Sequence, residues 1–263
     1  MSRNDIPQHK HERKWGQNFL RNQGAVRRIA EAVQPLPGET ILEIGPGEGI
    51  LTVELLKLGA PLTVIEIDPR LAESLQTRFA GQRVEIISQD ALIAPLPRET
   101  FCAVGNLPYN VGTPILKRIL TSASWRRAVF MLQREVANRV VATPGEEDYG
   151  YLSLHVAAFA EARILMRLEA GSFHPRPRVQ SAVVVLEKID RGLITPPDEL
   201  LALISAAFRM RRKKLVNNIT GFRGHDRSSI STALKAADIP ADIRAEMVSL
   251  HEFDRLGGML ERY

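Results

Sequence analysis

Apolar runs that end beside a glycine or an acidic residue recur along the first half of the chain and constrain its fold most strongly. Four such runs, expected to be buried strands, cover residues 40–44, 62–67, 84–87 and 101–104. The first passes through a glycine loop into a helix that we expect to begin near Ile50. Strands and helices at this spacing are typical of parallel βαβ units with right-handed crossovers. The sequence therefore predicts an α/β fold whose parallel strands end at one carboxyl edge, where such folds bind ligands.

The glycine loop after the first run indicates the kind of cofactor. Its glycines, spaced as G-x-G-x-G, are Gly45, Gly47 and Gly49. This is not the G-x-G-x-x-G spacing of dinucleotide sites, where a pyrophosphate needs bare amides and no nearby anions. Glu43 and Glu48 bracket the loop, so it suits the positive sulfonium and ammonium groups of S-adenosylmethionine better than NAD. The alternative is a plain strand-to-helix turn.

Acidic side chains also follow the next two strands. Glu66 lies about 20 residues beyond the glycine loop, where an acid that accepts both hydroxyls of a ribose is expected. Asp68 is a close competitor for that role. Asp90 follows the third strand and could accept a hydrogen bond from an adenine amino group. Each acid alone could be a helix cap, but an acid after each successive strand favours a nucleoside site.

The segment Asn106-Leu107-Pro108-Tyr109 follows the fourth strand and is suited to a planar base with an exocyclic amine. The carbonyl of Leu107 and the side-chain carbonyl of Asn106 can accept the two N–H protons of such an amine. Pro108 stiffens the turn, and the ring of Tyr109 offers a face for stacking. The pattern is typical of methyltransferases that act on amino nitrogens. The alternative is a proline turn with a tyrosine in the core.

Two further strands are expected at residues 162–168 and 182–187, antiparallel at one edge of the sheet. A loop with two prolines separates them and carries Phe173, which could stack on a base from the side opposite Tyr109. The alternative is that Phe173 is a core residue beneath a rigid loop.

A proline pair at residues 196–197 marks a linker, and the pattern beyond it is helical. We expect helices near residues 200–208, 228–237, 241–250 and 253–260. The predicted domains are residues 1–190, an α/β domain with a basic amino-terminal tail, and residues 191–263, a small all-helical domain.

The charge of the chain indicates a polyanionic partner. Its 263 residues carry a formal net charge of +5, and one segment has five cations among six residues: Arg209, Arg211, Arg212, Lys213 and Lys214. Such a run can neutralise the phosphates of RNA, or it can be a solvated face without a partner.

Several classes of protein are excluded by composition. The single cysteine, Cys102, cannot form an internal disulfide, and the six histidines are not spaced as metal ligands, so we expect no metal. No apolar run approaches the roughly 18 residues of a membrane span, and the first residues are too polar for a signal peptide. We therefore expect no membrane association and a cytoplasmic location.

Several motifs, in one order over nearly the whole chain, closely resemble the ribosomal RNA adenine dimethyltransferase family. They are Gly16–Leu20, Glu43–Gly49, Glu66, Asp90, Asn106–Asn110, the pattern Phe173-x-Pro175-x-Pro177-x-Val179-x-Ser181, and Phe208–Lys213. The resemblance is nearer to the small-subunit members, whose loss gives kasugamycin resistance. It implies a Rossmann-like, S-adenosylmethionine-dependent methyltransferase domain followed by a small carboxyl-terminal helical domain.

The resemblance also implies an activity and its residues. Methyl groups would pass from S-adenosylmethionine to N6 of two adjacent adenosines in the 3′-terminal hairpin loop of 16S rRNA, during maturation of the 30S subunit. The enzyme is expected to be a monomer. Cofactor contacts are implied for Asn18, Leu20, Gly45, Glu66, Asp90 and Asn106. The target adenine would be held by Asn106, Leu107, Pro108 and Tyr109, with Phe173 stacking on it.

Three alternatives remain. The first is the related macrolide-resistance activity on large-subunit rRNA, although residues 106–110, Thr113-Pro114 and the basic run favour the small subunit. The second is a ribosome-assembly or nucleic-acid-binding factor with a vestigial site, which intact Glu66, Asp90 and Asn106 argue against. The third is a nicotinamide oxidoreductase, which Glu48 and the glycine spacing disfavour.

Overall fold

The protein, as a computed structural model, is described over residues 19–210 and 212–261 and combines one large sheet with a layer of helices. Its strands are β1 (Phe19–Leu20), β2 (Thr40–Ile44), β3 (Leu62–Glu66), β4 (Val84–Ser88), β5 (Phe101–Asn106), β6 (Trp125–Gln133), β7 (Ala160–Leu168), β8 (Phe173–His174) and β9 (Ser181–Lys188). Its helices are α1 (Gln23–Val33), α2 (Ile50–Leu56), α3 (Pro69–Arg78), α4 (Gly112–Thr121), α5 (Arg134–Val141), α6 (Tyr151–Phe159), α7 (Pro197–Ala207), α8 (Leu215–Ile219), α9 (Arg227–Ala236) and α10 (Leu250–Leu260).

The large sheet has seven strands in the order β4-β3-β2-β5-β6-β9-β7. Strands β2 to β6 are parallel to one another, and β9 runs antiparallel to both β6 and β7. The predicted α/β class and the two antiparallel closing strands are therefore confirmed. The chain moves outward from β2 to β4 and then returns to the other side of β2, so the strand order reverses between β2 and β5. Open α/β sheets bind ligands outside the carboxyl ends of the strands at this point.

The central strands are almost wholly apolar because helices cover both faces of the sheet. On one face, Leu42 of β2 and Ala103 of β5 pack with α4 and α5. On the other face, Ile41 and Val104 pack with α1 and α2. Alternate residues of one strand thus enter different cores, which fixes the register between neighbouring strands.

Strand β5 continues through Gly105 to Asn106, two residues beyond the strand expected at 101–104. Gly105 lies opposite Ile44 of β2, and a Cβ atom built on Gly105 would lie 2.3 Å from the Ile44 carbonyl oxygen. The missing side chain therefore allows β5 to stay paired up to the edge of the sheet. As a result, Asn106 is held by the sheet rather than by a free loop.

The carboxyl-terminal helices form a second hydrophobic core. This core also contains Leu154 and Ala158 of α6, so the helical layer is packed directly on the α/β part. The linker before α7 is held by Asp254 of α10, whose carboxylate accepts hydrogen bonds from the amides of Ile194 and Thr195 at 3.0 and 2.7 Å. The domain boundary between residues 190 and 191 stays a prediction.

The prediction of a helix at residues 241–250 is wrong. This segment contains turns and one short 3-10 helix, Ala245–Met247. Ser249 and Glu252 form a capping box, because the amide of Ser249 donates to Glu252 and the amide of Glu252 donates to the Ser249 hydroxyl. This cap starts α10 at Leu250, so the apolar residues near 250 belong to the last helix. No helix within the described residues is long and apolar enough to cross a membrane.

The contact at Gly105 predicts a large loss of stability on Gly105→Ala. The added methyl group would meet backbone, which cannot rotate away, so we expect a loss of about 1–3 kcal/mol or more in the free energy of unfolding. Chemical denaturation monitored by circular dichroism measures it. Gly171→Ala is the matched control, since nothing lies within 4 Å of a Cβ atom built there. Equal stability of the two variants would contradict the argument.

Candidate active site

A cavity of about 1110 Å³, open mouth included, lies at the carboxyl edge of the sheet between β2 and β5. It brings together eight of the residues predicted from the sequence: Leu20, Gly45, Glu66, Asp90, Asn106, Leu107, Pro108 and Tyr109. Asn18, also predicted to contact the cofactor, lies outside the described residues. Phe173 does not line this cavity. The eight residues come from five separate segments. Four of these segments lie at the carboxyl ends of β2 to β5, which meet at one edge because the strands are parallel.

Glu66 ties the glycine loop to β3. One carboxylate oxygen accepts a hydrogen bond from the amide of Gly47 at 3.2 Å, and the other accepts one from the amide of Asp68 at 2.9 Å. Only 3% of Glu66 is exposed, and this burial raises the pKa of its carboxyl group, an effect that the two amides oppose. Each oxygen retains a lone pair for a further donor, such as a ribose hydroxyl.

Asp68, the competitor of Glu66, has a different position. Its side chain accepts from the amide of Arg70 at the start of α3 and forms an ion pair with the Arg70 guanidinium at 2.9 Å. These contacts hold the pKa of Asp68 below its usual range. Asp68 is a helix cap that does not line the cavity, so Glu66 is the acid available to a ligand.

The two acids that bracket the glycine loop have separate roles. Glu43 is buried, lines the cavity and accepts a hydrogen bond from the Thr52 hydroxyl at 2.7 Å. Its burial, opposed by that hydrogen bond, raises its pKa to about 8. Glu48 instead pairs with Arg21 at 2.9 Å, and Arg78 donates to the Glu48 carbonyl.

Phe19 covers the glycine loop, a contact that the sequence analysis did not identify. Strand β1 pairs with β8, and a Cβ atom built on Gly47 would lie 2.6 Å from the Phe19 ring. Gly47 also has a positive φ of 58°, a conformation that favours glycine. The apolar pair Phe19–Leu20 after the polar Gln17-Asn18 is the only local signal for this cover.

The loop after β5 presents polar groups to the cavity. Asn106 is the last residue of β5, and the amide of Leu107 donates to the Met131 carbonyl of the neighbouring strand at 3.2 Å. Pro108 and Tyr109 follow. The Tyr109 hydroxyl lies 2.8 Å from the Ser181 hydroxyl at the start of β9. This loop is therefore attached to the adjacent strand β6 and to β9, the next strand beyond it.

Asp90 is held in a turn that Arg118 supports. The Asp90 side chain accepts from the amide of Leu92 at 2.8 Å. Arg118 of α4 donates to the carbonyls of Ala91 and Ala94, both at 2.6 Å. The sequence analysis did not identify Arg118, because no local pattern connects a helical arginine with a turn 24 residues earlier.

Phe173 is a buried residue in the described structure. It pairs with Leu20 across the small sheet, is 5% exposed, and packs in the core beneath α1. A contact between Phe173 and a target base stays a prediction.

The described members of the basic run lie between α7 and α8, in turns rather than in a helix. Its described members Arg209, Arg212, Lys213 and Lys214 are exposed, and Arg211 lies outside the described residues. In the described part of the chain, no group of three or more histidine, cysteine, aspartate or glutamate side chains could hold a metal ion.

The fold and this cavity define an S-adenosylmethionine-dependent methyltransferase. The sequence model of the family described as ribosomal RNA adenine dimethylase matches residues 8–253. The chain therefore belongs to the ribosomal RNA adenine dimethylase family. It is an enzyme that transfers methyl groups from S-adenosylmethionine to rRNA.

Individual relatives agree with this assignment. "Ribosomal RNA small subunit methyltransferase A" of Methylococcus capsulatus is 39% identical, covering 96% of this chain and 98% of its own. The protein of the same name from Pseudomonas putida is 38% identical, covering 98% and 97%. Among solved structures, a dimethyladenosine transferase from Plasmodium falciparum has a TM-score of 0.81 at 25% identity, covering 90% of this chain and 95% of its own. The 23S rRNA methyltransferase ErmE has a TM-score of 0.73 at 29% identity, covering 93% and 100%.

The raised pKa of Glu43 predicts a pH-dependent stability. A carboxyl group whose pKa is near 8 when folded and 4.5 when unfolded favours folding while protonated, and this advantage is lost as pH rises from 4.5 to 8. Glu43→Gln keeps a neutral acceptor for Thr52, so the stability of the variant relative to wild type should increase by up to about 1.4 kcal/mol per pH unit over this window. Denaturation curves between pH 5 and pH 8 measure it. A constant difference between the two proteins would contradict the prediction.

Proposed function

We propose that this enzyme dimethylates N6 of two adjacent adenosines in the 3′-terminal hairpin loop of 16S rRNA, within a precursor of the 30S subunit. It does so as a monomer, in the cytoplasm where small subunits mature. The observation that carries the proposal is that one cavity joins Glu66 to Asn106 and Tyr109. A hydrogen-bond acceptor for a ribose, Glu66, and one for an amine, Asn106, therefore line the same cavity. The relatives named for the small subunit support the choice of rRNA.

The cofactor would lie between the glycine loop and β1. Glu66 would accept hydrogen bonds from the ribose hydroxyls, and Asp90 would accept one from the adenine amino group. Leu20, Gly45 and Asn106 would complete the contacts described here, and Asn18 would add one from the segment before β1. The bound cofactor supplies an electrophilic methyl group on a positive sulfur. The acidic side chains of Glu66 and Asp90, which line the cavity, suit that positive charge.

Asn106 and the Leu107 carbonyl would orient the target amine. The N6 lone pair of adenine is delocalised into the ring and is a poor nucleophile. When both N–H groups donate to the Asn106 side chain and the Leu107 carbonyl, the lone pair is directed towards the methyl group. The protein thus contributes orientation and electrostatics, and no strong base is needed, because the methylated nitrogen releases its proton readily.

Two methyl transfers to one nitrogen place a further demand on this pair of acceptors. After the first transfer the nitrogen has one N–H left, so the second transfer uses a single acceptor or a rotated amine. Pro108 limits movement of the loop, and Tyr109 would stack on the base in both steps. Phe173 would stack on the base from the opposite side, as the resemblance to the family implies.

The basic run would bind the RNA backbone outside the cavity. Arg209, Arg211, Arg212, Lys213 and Lys214 form one cationic segment. Arg176 and Arg178 are exposed in the loop between β8 and β9 and would add to this cationic surface. Neutralised phosphates would release counterions, which makes binding dependent on salt.

Methylation of large-subunit rRNA is the second candidate, because ErmE shares the fold at 29% identity. The two candidates are separated by an assay with labelled S-adenosylmethionine on 30S and 50S subunits that lack these methylations. We expect N6,N6-dimethyladenosine only in 16S rRNA. Label only in 23S rRNA would replace the proposal with the second candidate. Cofactor binding without transfer to either subunit would instead favour an assembly factor.

Asn106→Ala should reduce the single-turnover rate of methylation about 100-fold to 1000-fold, because it removes a preorganised acceptor from the transition state. Binding of the RNA should persist. Asn110→Ala is the matched control, since Asn110 is an exposed residue of the same loop and does not line the cavity. A near-wild-type rate for Asn106→Ala at saturating cofactor would remove Asn106 from this role.

Charge reversal of Lys213 and Lys214 together should weaken RNA binding and make it less sensitive to salt. If each contacts one phosphate, the slope of log K against log salt should fall by about 1.4. Filter binding at several salt concentrations measures the slope. The control reverses two exposed cations at the amino edge of the sheet, Lys57 and Arg83, and should leave the slope unchanged. Equal effects of the two double variants would show that only net charge matters.

A further inference from the structure

Ser181 ends the sequence pattern that begins at Phe173, and the function proposed above gives it no role. Its hydroxyl lies 2.8 Å from that of Tyr109, 72 residues earlier in the chain. Ser181 is 0% exposed, so its hydroxyl has no access to water that could replace this partner. One hydroxyl donates to the other, and the bond connects the loop after β5 with the start of β9.

The backbone around Ser181 is fixed from both sides. Ser181 is paired with Gln133 of β6 and with Leu168 of β7, because β9 lies between these two strands. In addition, the amide of Arg134 donates to the carbonyl of the preceding residue, Gln180, at 2.9 Å. The Ser181 hydroxyl is therefore a stationary point at the edge of the sheet, where a mobile partner can be anchored.

Tyr109 is the kind of partner that needs such an anchor. It lies in a loop, lines the cavity and is only partly buried, so its ring could rotate about two side-chain bonds. Burial raises the pKa of the Tyr109 hydroxyl, which therefore stays protonated and able to donate. A single bond at the far end of the side chain restricts both rotations at once. The face of the ring is then held in one orientation towards the cavity.

We infer that Ser181 is a positioning residue for methyl transfer, which holds the ring of Tyr109 in the orientation that stacks on the target adenine. This inference rests on the function proposed above, in which Tyr109 contacts the base. It connects catalysis to the loop between β8 and β9, because Ser181 directly follows that loop. The exposed Arg176 and Arg178 of the loop face solvent, where RNA would approach.

The test is a double-mutant cycle of Ser181→Ala and Tyr109→Phe, each of which removes the same hydrogen bond and keeps the ring. We expect each single variant to reduce the single-turnover rate about threefold to tenfold, the range for loss of one neutral hydrogen bond. The double variant should be no slower than the slower single variant. The dissociation constant of S-adenosylmethionine should stay within about twofold of the wild-type value.

Ser153→Ala is the matched control for loss of a buried serine hydroxyl. Ser153 is 2% exposed and donates to the Arg139 carbonyl at 2.6 Å, away from the cavity. We expect Ser153→Ala to lower the thermal unfolding midpoint without changing the methylation rate. A purely structural role for Ser181 would give the same result for Ser181→Ala, and that outcome would overturn the inference. The inference would also be overturned if the rate losses of Ser181→Ala and Tyr109→Phe multiplied in the double variant, because the two hydroxyls would then act independently.

The wild-type protein in the same assay separates this inference from the proposed function. If the wild type methylates 23S instead of 16S rRNA, the proposed function fails, and the cycle is measured on the RNA that is methylated. If the wild type methylates neither, the inference fails with the proposed function. If the wild type methylates 16S rRNA and Ser181→Ala keeps the full rate, only the inference fails.

Discussion

The buried carboxylate of Glu66 is the interaction on which the ligand site depends. It crosses from the end of β3 to the glycine loop after β2 and accepts from backbone amides on both sides. These bonds offset the cost of burying an acid and keep the loop in the left-handed conformations that its glycines allow. The amide of Gly45 adds a backbone bond to the Ile65 carbonyl of β3 at 3.0 Å, so a side chain and the backbone together fix the distance between the loop and β3. Each oxygen of the same acid retains a lone pair, so in the proposed function support of the fold and recognition of the cofactor ribose use one side chain.

The second half of the site is built by the pairing of β5 with β2, β6 and, through Tyr109, β9. Gly105 lets β5 approach β2 to the last residue, and the amide of Leu107 extends the pairing with β6. In the proposed function, the methyl donor lies at β2 and β3 and the amine acceptors lie at β5, which are adjacent strands of one sheet. A sheet of close-packed strands is rigid, so the distance between the two halves varies little, and this is what a displacement reaction requires.

Much of this arrangement could be predicted from the sequence, because its determinants are local. Glu66 and Asn106 lie at the ends of apolar strands and Asp90 lies two residues beyond one, and parallel strands bring such positions to one edge. The contacts that could not be predicted are tertiary. Ser181 forms a hydrogen bond with Tyr109, 72 residues earlier in the chain. Arg118 of α4 donates to a carbonyl in the turn that follows β4. The position of Phe173 depends on the pairing of the short strands β1 and β8. The start of α10 depends on the capping box of Ser249 and Glu252, whereas the apolar residues before it predict an earlier helix.

The central claim is that one cavity places a nucleoside cofactor on Glu66 with its sulfur facing Asn106. A crystal structure of the full chain with S-adenosylhomocysteine tests it most directly. The account predicts both ribose hydroxyls within hydrogen-bonding distance of the Glu66 carboxylate and the sulfur directed at Asn106 and Leu107. A ligand bound elsewhere, or a ribose held away from Glu66, would contradict it.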